Sequence, residues 1–463
     1  MQAAVAAGHP ATVSAGIEIL EEGGSAADAA VAAALASCVA ETVMTGLLGG
    51  GHAIHYESAS GRVRNLDCFV AVPGLGAERR EPALVHLDVP FGAELVHYAV
   101  GPASCAVPGL PAGLEALWRE HGRLPWPRLV ESARRLARDG VEFPPAHAAC
   151  LAMLAPVMTM NEGVRIYAPR GGLLQAGDRL EQPGLGDALQ ALADDPADVY
   201  RGSIGESLLA LSAERGGLLT QTDLDAYEPR WSDPVEIGYM GMRLLTRGGL
   251  SGLPETVPRL PRLRGLGETE RVLVLVDVLA NGRNAGGDTT NVAVVDADEN
   301  ACVITSSLGL GSGDFLPGLD LHLNSMLGEV DLLRGPLEPG TRMLSMMAPT
   351  FVLDGDGLSL ATGAAGGTRL RTALLGVIAG ILDEGLAAEA AVERPRFHPA
   401  AEVVNAEPGV DEAALVALEA GNRTVRRWPA PHHYFGGVSV VSRSGAAGDP
   451  RRSGAAMTIR RGP

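Results

Sequence analysis

A predicted β-hairpin that begins at Thr289 constrains the fold of this chain more than any other feature. Residues 290–295 form an alternating apolar run typical of a strand, residues 296–300 favour a turn, and residues 301–305 return as a second strand. Thr289 therefore lies at the open end of the hairpin. It follows Asp288 and a glycine-rich stretch, residues 284–287, of the exposed kind in which a backbone cut is tolerated.

The Thr289-Thr290 pair raises the question of catalysis, because a threonine hydroxyl becomes a good nucleophile only when a base lies beside it. The nearest possible base is the α-amine of Thr289 itself, which becomes free if the bond to Asp288 is cut. An α-amine has a pKa of about 7.7–8.0 and accepts a proton near neutral pH. A threonine pair alone is weak evidence, since most such pairs are ordinary strand residues, and its sequence context must decide.

Composition and charge exclude several classes of protein. The chain has 463 residues, 46% of them hydrophobic and 4% aromatic, so it can bury a large core in one big domain or in two to three smaller ones. Its formal net charge of −18 argues against a nucleic-acid partner, which requires a basic face. No apolar run approaches about 18 residues in length, so no membrane span is predicted.

The cysteines and the first residues indicate the compartment. The first residues lack a basic region ahead of an apolar stretch, so no signal peptide is predicted and we expect a cytoplasmic protein. The five cysteines are scattered and form no C-x-x-C motif, which predicts buried free thiols in a reducing compartment. They are Cys38, Cys68, Cys105, Cys150 and Cys302.

The predicted secondary structure changes near residue 250 from mainly helical to mainly strand. Before that point, helices are predicted at residues 14–22, from Ser25 (as N-cap, with Asp28 three residues later) onward, and at residues 126–139 and 204–215. Residues 248–267 are predicted to be irregular, and a helix is predicted at residues 268–281. After Thr289, strands are predicted at residues 348–353 and 358–363, followed by a helix at residues 370–382.

Gly366 and Gly367 precede that last predicted helix. Two glycines at this point place unobstructed backbone N–H groups at the positive end of a helix, where an anion or an oxyanion is stabilised. The alternative is an ordinary turn in which two backbone segments approach closely. An isolated Gly-Gly pair favours the turn.

Motifs spread along nearly the whole chain occur in a specific order. They are residues 21–32, 49–51, 106–109, 136–140, 216–220, 289–290, 349–350, 362–369, 393–398 and 448–452. In this order they resemble the γ-glutamyltranspeptidase family, with the large-subunit motifs before Thr289 and the small-subunit motifs after it. The resemblance implies an α+β fold, the N-terminal-nucleophile hydrolase αββα sandwich of two mostly antiparallel sheets between helical layers.

The resemblance also implies self-cleavage between Asp288 and Thr289. Residues 1–288 would form a helix-rich large-subunit segment with an irregular tail at 248–288, residues 289–463 would form a small-subunit segment, and the two cleaved chains would stay together in one intertwined domain. Thr289 would then be the nucleophile and, through its freed amine, the base. A small-molecule acyl donor would form an acyl-enzyme that water or an amine acceptor releases, and no metal or other cofactor is implied.

The family motifs assign supporting roles as well. By position, Gly366 and Gly367 match the backbone oxyanion hole, Ser307 matches the hydroxyl that orients the Thr289 amine, and Thr290 is a supporting strand residue. Ser345 matches the first of two serines near the substrate.

The same comparison shows departures in the substrate pocket. Phe69 stands where γ-glutamyl-binding members have the arginine that holds the α-carboxylate, and phenylalanine cannot supply a bidentate guanidinium. Met346 replaces the second serine, and Glu329 keeps a carboxylate where an aspartate binds the substrate amine. Two further positions also differ: Gly309 stands for an asparagine and Met326 for an amide.

Arg371 is a candidate for a displaced carboxylate anchor. The alternative, a solvated arginine at the start of a helix, is favoured by its position in the sequence.

Three functions follow from this pattern. The leading prediction is a self-cleaving threonine hydrolase or acyltransferase that acts on a small amide-type substrate, with weak or absent activity on ordinary γ-glutamyl compounds. The first alternative is hydrolysis of a carbon–carbon bond next to a carbonyl in secondary metabolism, as in pathways to proline-derivative antibiotics. The second alternative is an unprocessed, inactive scaffold.

Overall fold

The computed structural model describes residues 1–77, 82–91, 94–280 and 289–459. In chain order the helices are α1 (Pro10–Glu21), α2 (Ala26–Ala40), α3 (Leu110–His121), α4 (Trp126–Asp139), α5 (Pro145–Met158), α6 (Gly163–Tyr167), α7 (Pro183–Asp194), α8 (Asp198–Arg201), α9 (Ser203–Glu214), α10 (Gln221–Asp225), α11 (Leu253–Thr256), α12 (Glu268–Leu279), α13 (Arg369–Leu382), α14 (Ala388–Glu393) and α15 (Glu412–Ala420). The strands are β1 (Ala4–Ala7), β2 (Gly50–Glu57), β3 (Arg62–Cys68), β4 (Val85–Phe91), β5 (Glu94–Val100), β6 (Val141–Glu142), β7 (Arg179–Leu180), β8 (Arg230–Ser232), β9 (Val235–Tyr239), β10 (Met242–Thr246), β11 (Thr290–Val295), β12 (Ala301–Ser307), β13 (Phe315–Leu316), β14 (Leu321–His322), β15 (Thr350–Asp354), β16 (Gly357–Ala365), β17 (Phe397–Ala400), β18 (Val403–Ala406), β19 (Thr424–Arg427), β20 (Gly437–Ser442), β21 (Gly445–Gly448) and β22 (Ala455–Thr458).

Two antiparallel sheets form the centre of the molecule. The first has the strand order β22-β1-β11-β12-β2-β3-β8, and the second has the order β21-β20-β16-β15-β10-β9. The sheets face each other through a shared apolar layer that includes Ala293 and Val303 from the first sheet and Phe351 and Val441 from the second. Because successive strand residues point to opposite faces, Val292 of β11 packs instead against the helices that cover the first sheet.

Helices cover the outer faces of both sheets. Helices α1 to α4, α7 and α9 share a core with the outer face of the first sheet, and α12 to α15 share another with the second. The predicted αββα sandwich is therefore confirmed. Strands from before and after Thr289 alternate within the first sheet, where β1 and β2 flank the β11–β12 pair. Both sheets combine strands from the two sides of residue 288.

The hairpin that begins at Thr289 is confirmed as well. Strands β11 and β12 pair in antiparallel register, with Thr290 opposite Ser306 and Val295 opposite Ala301. The turn closes through the Asp296 backbone N–H, which donates to the Asn300 carbonyl at 2.9 Å. A short turn between two well-paired strands holds Thr289 at the end of the ladder.

Most predicted helices are present, with corrections at their ends. The helix at Trp126–Asp139 is confirmed, and α1 begins at Pro10 because the His9 side chain caps it by accepting the Ala11 N–H at 3.0 Å. The prediction of an irregular segment at 248–267 is wrong in part, since it contains α11 and a 3₁₀ turn at Val257–Arg259. Helix α12 ends at Leu279 in the structure. The predicted end of this helix, Asn281, lies outside the described residues.

Two further features concern the helices and the thiols. In the described part of the chain, no helix combines the length and the apolar character that a membrane crossing needs. All five cysteines are buried thiols that form no disulfide, as predicted. Burial raises the pKa of the Cys68 and Cys105 thiols to about 12, which makes them unreactive at neutral pH.

The start of α2 depends on the Asp28 carboxylate. Ser25 and Asp28 form the predicted capping box, and Asp28 Oδ2 also accepts the backbone N–H groups of Arg123 at 2.7 Å and Leu124 at 3.2 Å. The carboxylate therefore joins the first turn of α2 to the segment before α4. Helix α2 is buried along its whole length, so its start has no solvent to replace these bonds.

Replacing Asp28 with Ala is expected to destabilise the protein by about 3 kcal/mol, because it leaves one buried and two partly buried backbone N–H groups without their acceptor. Urea unfolding followed by circular dichroism measures this difference. The matched control is Ser25→Ala, which removes one capping bond and is expected to cost about 1 kcal/mol. Equal losses for the two variants would contradict the linking role of Asp28.

Candidate active site

Thr289 lies at the junction of two cavities. It is 6% exposed, and its backbone carbonyl accepts a hydrogen bond from Arg452 Nη1 at 3.2 Å. It lines a cavity of about 330 Å³ and a second cavity of about 280 Å³. Asp288, the other half of the predicted cleavage bond, lies outside the described residues.

The larger cavity, called here the substrate cavity, brings together most of the residues predicted from the sequence. Its lining consists of Phe69, Thr289, Ser307, Met326, Glu329, Leu332, Ser345, Met346, Met347, Gly367 and Leu370. Leu332, Met347 and Leu370 were not predicted. Their signal in the sequence is weak, because an apolar residue in a loop or at a helix start is common. Among the described residues, no group of three or more His, Cys, Asp or Glu side chains is placed to hold a metal ion.

Ser307 is held next to Thr289 by the register of the hairpin. Since Thr290 pairs with Ser306, the next step of the same ladder brings Thr289 and Ser307 opposite each other. The Ser307 hydroxyl oxygen accepts the Gly309 backbone N–H at 2.9 Å, which fixes the side chain at the end of β12. A hydroxyl therefore lies at the cavity wall beside the predicted nucleophile.

Gly366 and Gly367 form the turn between β16 and α13. Their φ angles are 122° and 57°, both in the region that favours glycine, and a Cβ on Gly366 would lie 2.8 Å from Gly436 Cα. The Gly366 carbonyl accepts the Arg369 N–H at 3.1 Å, so it points into the helix. In a trans peptide the N–H of Gly367 then points the opposite way, and Gly367 itself lines the substrate cavity.

Phe69 makes one wall of the cavity apolar. Its side chain is fully buried and stacks on the His52 ring, with ring centroids 5.5 Å apart. Burial holds the pKa of His52 well below its usual value, and the neighbouring Arg247 and Arg342 lower it further. His52 is therefore neutral, and the cavity meets an aromatic ring where the family motif has a guanidinium.

The two arginines behind Phe69 have structural partners. Arg247 Nη1 donates to the carbonyl oxygens of Ser345 at 3.1 Å and Met347 at 3.2 Å, so it holds the loop that forms one side of the cavity. Arg342 donates to the Phe69 carbonyl oxygen and to the Tyr227 hydroxyl. Both guanidinium groups therefore stabilise the walls of the cavity.

The side chain of Glu329 lies directly beside Gly309. Glu329 is 5% exposed, and a Cβ on Gly309 would lie 2.7 Å from Glu329 Oε1 and 2.7 Å from Ser325 Oγ. The space that a side chain at 309 would need is thus filled by the longer acidic side chain at 329. Glu329 and Ser325 therefore leave no room for a side chain at position 309.

Arg371 lies away from the substrate cavity. Its guanidinium donates to Thr256 Oγ1 at 3.2 Å and to the Leu279 carbonyl at 2.9 Å, which ties α13 to α11 and to the end of α12. The described lining of the substrate cavity does not include Arg371, so the structure does not bring this candidate anchor to the cavity. Arg371 is on the side of α13 that packs against these helices, where burial lowers its pKa by desolvation.

The smaller cavity contains a residue that sequence reasoning missed. Glu41 directly follows α2 and is 1% exposed. Its carboxylate accepts hydrogen bonds from Thr12 Oγ1 at 2.7 Å and from Thr290 Oγ1. Desolvation by burial raises the pKa of Glu41 to about 7, while the two threonines and Arg452 oppose the increase. The available signal was an acidic residue at the end of an otherwise apolar run.

Comparison with known proteins gives one family and one fold. The model of the family described as gamma-glutamyltranspeptidase matches residues 12–255 and 274–459. The acylase ACY 1 proenzyme of Pseudomonas sp. (strain SE83) is 28% identical over 95% of this chain and 89% of its own length. The glutathione hydrolase proenzyme of Escherichia coli (strain K12) is 26% identical over 89% of this chain and 83% of its own length. The crystal structure of cephalosporin acylase from Bacillus halodurans superposes with a TM-score of 0.85 at 22% identity, and covers 100% of this chain and 96% of that one.

Proposed function

This chain belongs to the γ-glutamyltranspeptidase family and is an N-terminal-nucleophile hydrolase, and we propose that Thr289 is its nucleophile after self-cleavage of the 288–289 bond. The observation that carries this proposal is the position of Thr289. It shares one cavity with a hydroxyl at Ser307 and a glycine turn at Gly367. These are the parts that acyl transfer to a threonine needs.

In the proposed self-cleavage, the Thr289 hydroxyl oxygen attacks the carbonyl carbon of residue 288. The carbon–nitrogen bond breaks, and the hydroxyl proton ends on the departing nitrogen. Water hydrolyses the resulting ester, releases the carboxyl end of residues 1–288 and restores the hydroxyl. Both similar relatives are named proenzymes, and the proposal extends such processing to this chain.

In turnover, the freed amine of Thr289 takes the proton from its own hydroxyl as the oxygen attacks the substrate acyl carbon. The developing oxyanion is placed against the backbone N–H groups of Gly366 and Gly367, each worth about 2.7–4 kcal/mol in such a site. The leaving group departs with the proton. Water or an amine acceptor then attacks the acyl-enzyme and regenerates Thr289.

The proposed acyl group is apolar and carries an α-amine, as a leucyl group does. Phe69, Met326, Leu332 and Met346 present apolar surface along the substrate cavity. Glu329 places a carboxylate in the same lining, and a carboxylate there is suited to bind the ammonium group of a substrate. The lining formed by the described residues contains no arginine, so the α-carboxylate of a γ-glutamyl group has no cationic partner there. The relatives named acylases are consistent with an acyl group other than γ-glutamyl.

We expect leucine p-nitroanilide to be hydrolysed with a kcat/KM about 100-fold above that of γ-glutamyl p-nitroanilide, because an unpaired buried carboxylate costs about 3 kcal/mol. Release of nitroaniline measures both rates. Efficient hydrolysis of the γ-glutamyl compound would contradict the proposed specificity.

Glu329→Gln tests the amine contact separately. We expect this variant to lose about tenfold or more in kcat/KM for leucine p-nitroanilide, since it removes a charge-assisted hydrogen bond. The matched control substrate is 4-methylpentanoyl p-nitroanilide, which has the same chain without the amine and should be nearly unaffected by the substitution. Equal losses for both substrates would remove Glu329 from amine recognition.

A further inference from the structure

Glu41 lies behind the proposed nucleophile, in a cavity that the mechanism above does not use. The smaller cavity is lined by Glu41, Thr289, Thr290, Arg452, His147 and Asp449, among others. The Thr290 hydroxyl donates to Glu41 in this cavity, and Thr289 lines both this cavity and the substrate cavity.

Two contacts from this cavity hold the chain at residues 289 and 290. The Glu41 carboxylate accepts the Thr290 hydroxyl, and Arg452 Nη1 donates to the Thr289 carbonyl at 3.2 Å. Glu41 and Arg452 attract each other, since Arg452 stabilises the charged form of Glu41. Together they restrain the backbone from which the Thr289 hydroxyl must reach the preceding carbonyl.

The fold leaves room for this carboxylate at a specific point. A Cβ on Gly8 would overlap with Glu41 Oε2 and would lie 2.9 Å from Thr290 Oγ1. Thr12 of α1 donates to the second carboxylate oxygen at 2.7 Å. Both oxygens of Glu41 are therefore engaged by hydroxyl donors, an arrangement that suits an ionised carboxylate, which only accepts hydrogen bonds.

Self-cleavage depends on such restraint more than turnover does. Before the cut, the nitrogen of Thr289 is an amide and supplies no base. The reaction must then rely on the orientation of the hydroxyl against the preceding carbonyl, and a displacement of about 1 Å can cost roughly 100-fold in rate.

We propose that Glu41 is the ionisable positioning residue of self-cleavage: in its charged form it fixes the Thr290 hydroxyl and Arg452, and thereby the Thr289 backbone, in the reactive geometry. This inference rests on the proposed role of Thr289. Protonation would turn one carboxyl oxygen into a donor and remove the charge that faces Arg452, so the restraint would weaken. Self-cleavage is therefore expected to speed up as the pH rises through the pKa of Glu41, which is about 7.

Two histidines and one thiol lie near Glu41, and burial shifts the pKa of each toward its neutral form. Burial lowers the pKa of His147 to about 3 and also lowers that of His9 beside it, so both rings stay neutral at neutral pH. Burial raises the pKa of the Cys38 thiol one turn earlier on α2. Asp449 and Arg452 complete the set of charged groups that face the cavity.

The test is the rate of self-cleavage of freshly refolded full-length chain in buffers from about pH 5 to about pH 9, followed by intact mass. For one group with a pKa of about 7, the wild-type rate should rise roughly tenfold between about pH 6 and about pH 8. Glu41→Gln keeps the size of the side chain but cannot ionise, so its profile should be flat over this range.

A second pair of variants decides the question if Glu41→Gln fails to fold. Thr290→Val removes the hydrogen bond that lowers the Glu41 pKa, so the midpoint of the profile should move to higher pH. Thr290→Ser retains the hydroxyl and should return the midpoint to the wild-type value. A purely structural role of the pair would lower rates without moving the midpoint.

The outcomes separate this inference from the proposed function. A wild-type midpoint retained in Glu41→Gln, or left unmoved in Thr290→Val, overturns the role of Glu41 while Thr289 can still be the nucleophile. A wild-type chain that stays intact at every pH overturns both. A flat Glu41→Gln profile together with the shifted midpoint in Thr290→Val supports the inference.

Discussion

Thr289→Ala is expected to remain one intact chain and to lose activity on every substrate by about 10⁴-fold or more, because the proposed nucleophile is absent both from self-cleavage and from turnover. Intact mass and hydrolysis of leucine p-nitroanilide measure the two losses. The fold should persist, since the substitution removes a small side chain at the end of β11 and leaves the pairing of Thr290 with Ser306 unchanged.

Thr289→Ser is the matched control for that variant. It keeps a hydroxyl on Cβ, so this variant is expected to cleave itself and to hydrolyse substrate, both at a reduced rate. Thermal unfolding of both variants establishes that they are folded. Cleavage in Thr289→Ala at the same bond, or full activity without cleavage, would contradict the role of Thr289.

Gly366→Ala is expected to lower kcat strongly. Gly366 has a φ of 122°, and an added Cβ would lie 2.8 Å from Gly436 Cα, so the turn has to shift. A shift moves the backbone N–H groups that are proposed to face the oxyanion, and loss of one such donor costs about 10²–10³ in kcat. We therefore expect a loss of that size in the turnover of leucine p-nitroanilide by the processed protein.

Gly376→Ala is the matched control in the following helix. Gly376 lies inside α13, and nothing is within 4 Å of the position that its Cβ would take. The substitution should leave activity unchanged and stabilise the helix by about 0.5–1 kcal/mol. If Gly366→Ala retains wild-type kcat while folding normally, the glycine turn does not form the oxyanion site.

Local features of the sequence predicted the framework of the site correctly. The β11–β12 hairpin follows from alternation and a short polar turn, both of which act between Thr290 and Ser307. The capping box at Ser25 and Asp28 follows from spacing alone. The order of motifs predicted the family and hence the two sheets, because the same strand pairings accompany those motifs.

Contacts between segments far apart in the chain could not be predicted from the sequence. Glu41 and Thr290 are 249 positions apart, and nothing in either local pattern indicates that they meet. Arg371 was a candidate carboxylate anchor, with a solvated arginine at a helix start as the alternative. In the structure, α13 packs against α11 and the guanidinium of Arg371 contacts Thr256. The close approach of the Glu329 carboxylate to Gly309 likewise depends on loop geometry, which the periodicity of the sequence does not predict.

In the substrate cavity, the residues proposed for the reaction differ from the residue proposed to select the acyl group. Ser307 and Gly367 keep the surroundings of Thr289 polar where acyl transfer is proposed, and their positions follow from one hairpin and one turn. Phe69 lies on a different strand end and packs on His52, so the acyl side can change while the reacting atoms stay in place.

Intact mass of the purified wild-type chain, with N-terminal sequencing of its fragments, tests self-cleavage before Thr289 directly. Two fragments are expected, the second beginning at Thr289, with masses that sum to the full chain plus one water. A single chain of 47.8 kDa, or a new N-terminus at any other residue, would contradict it.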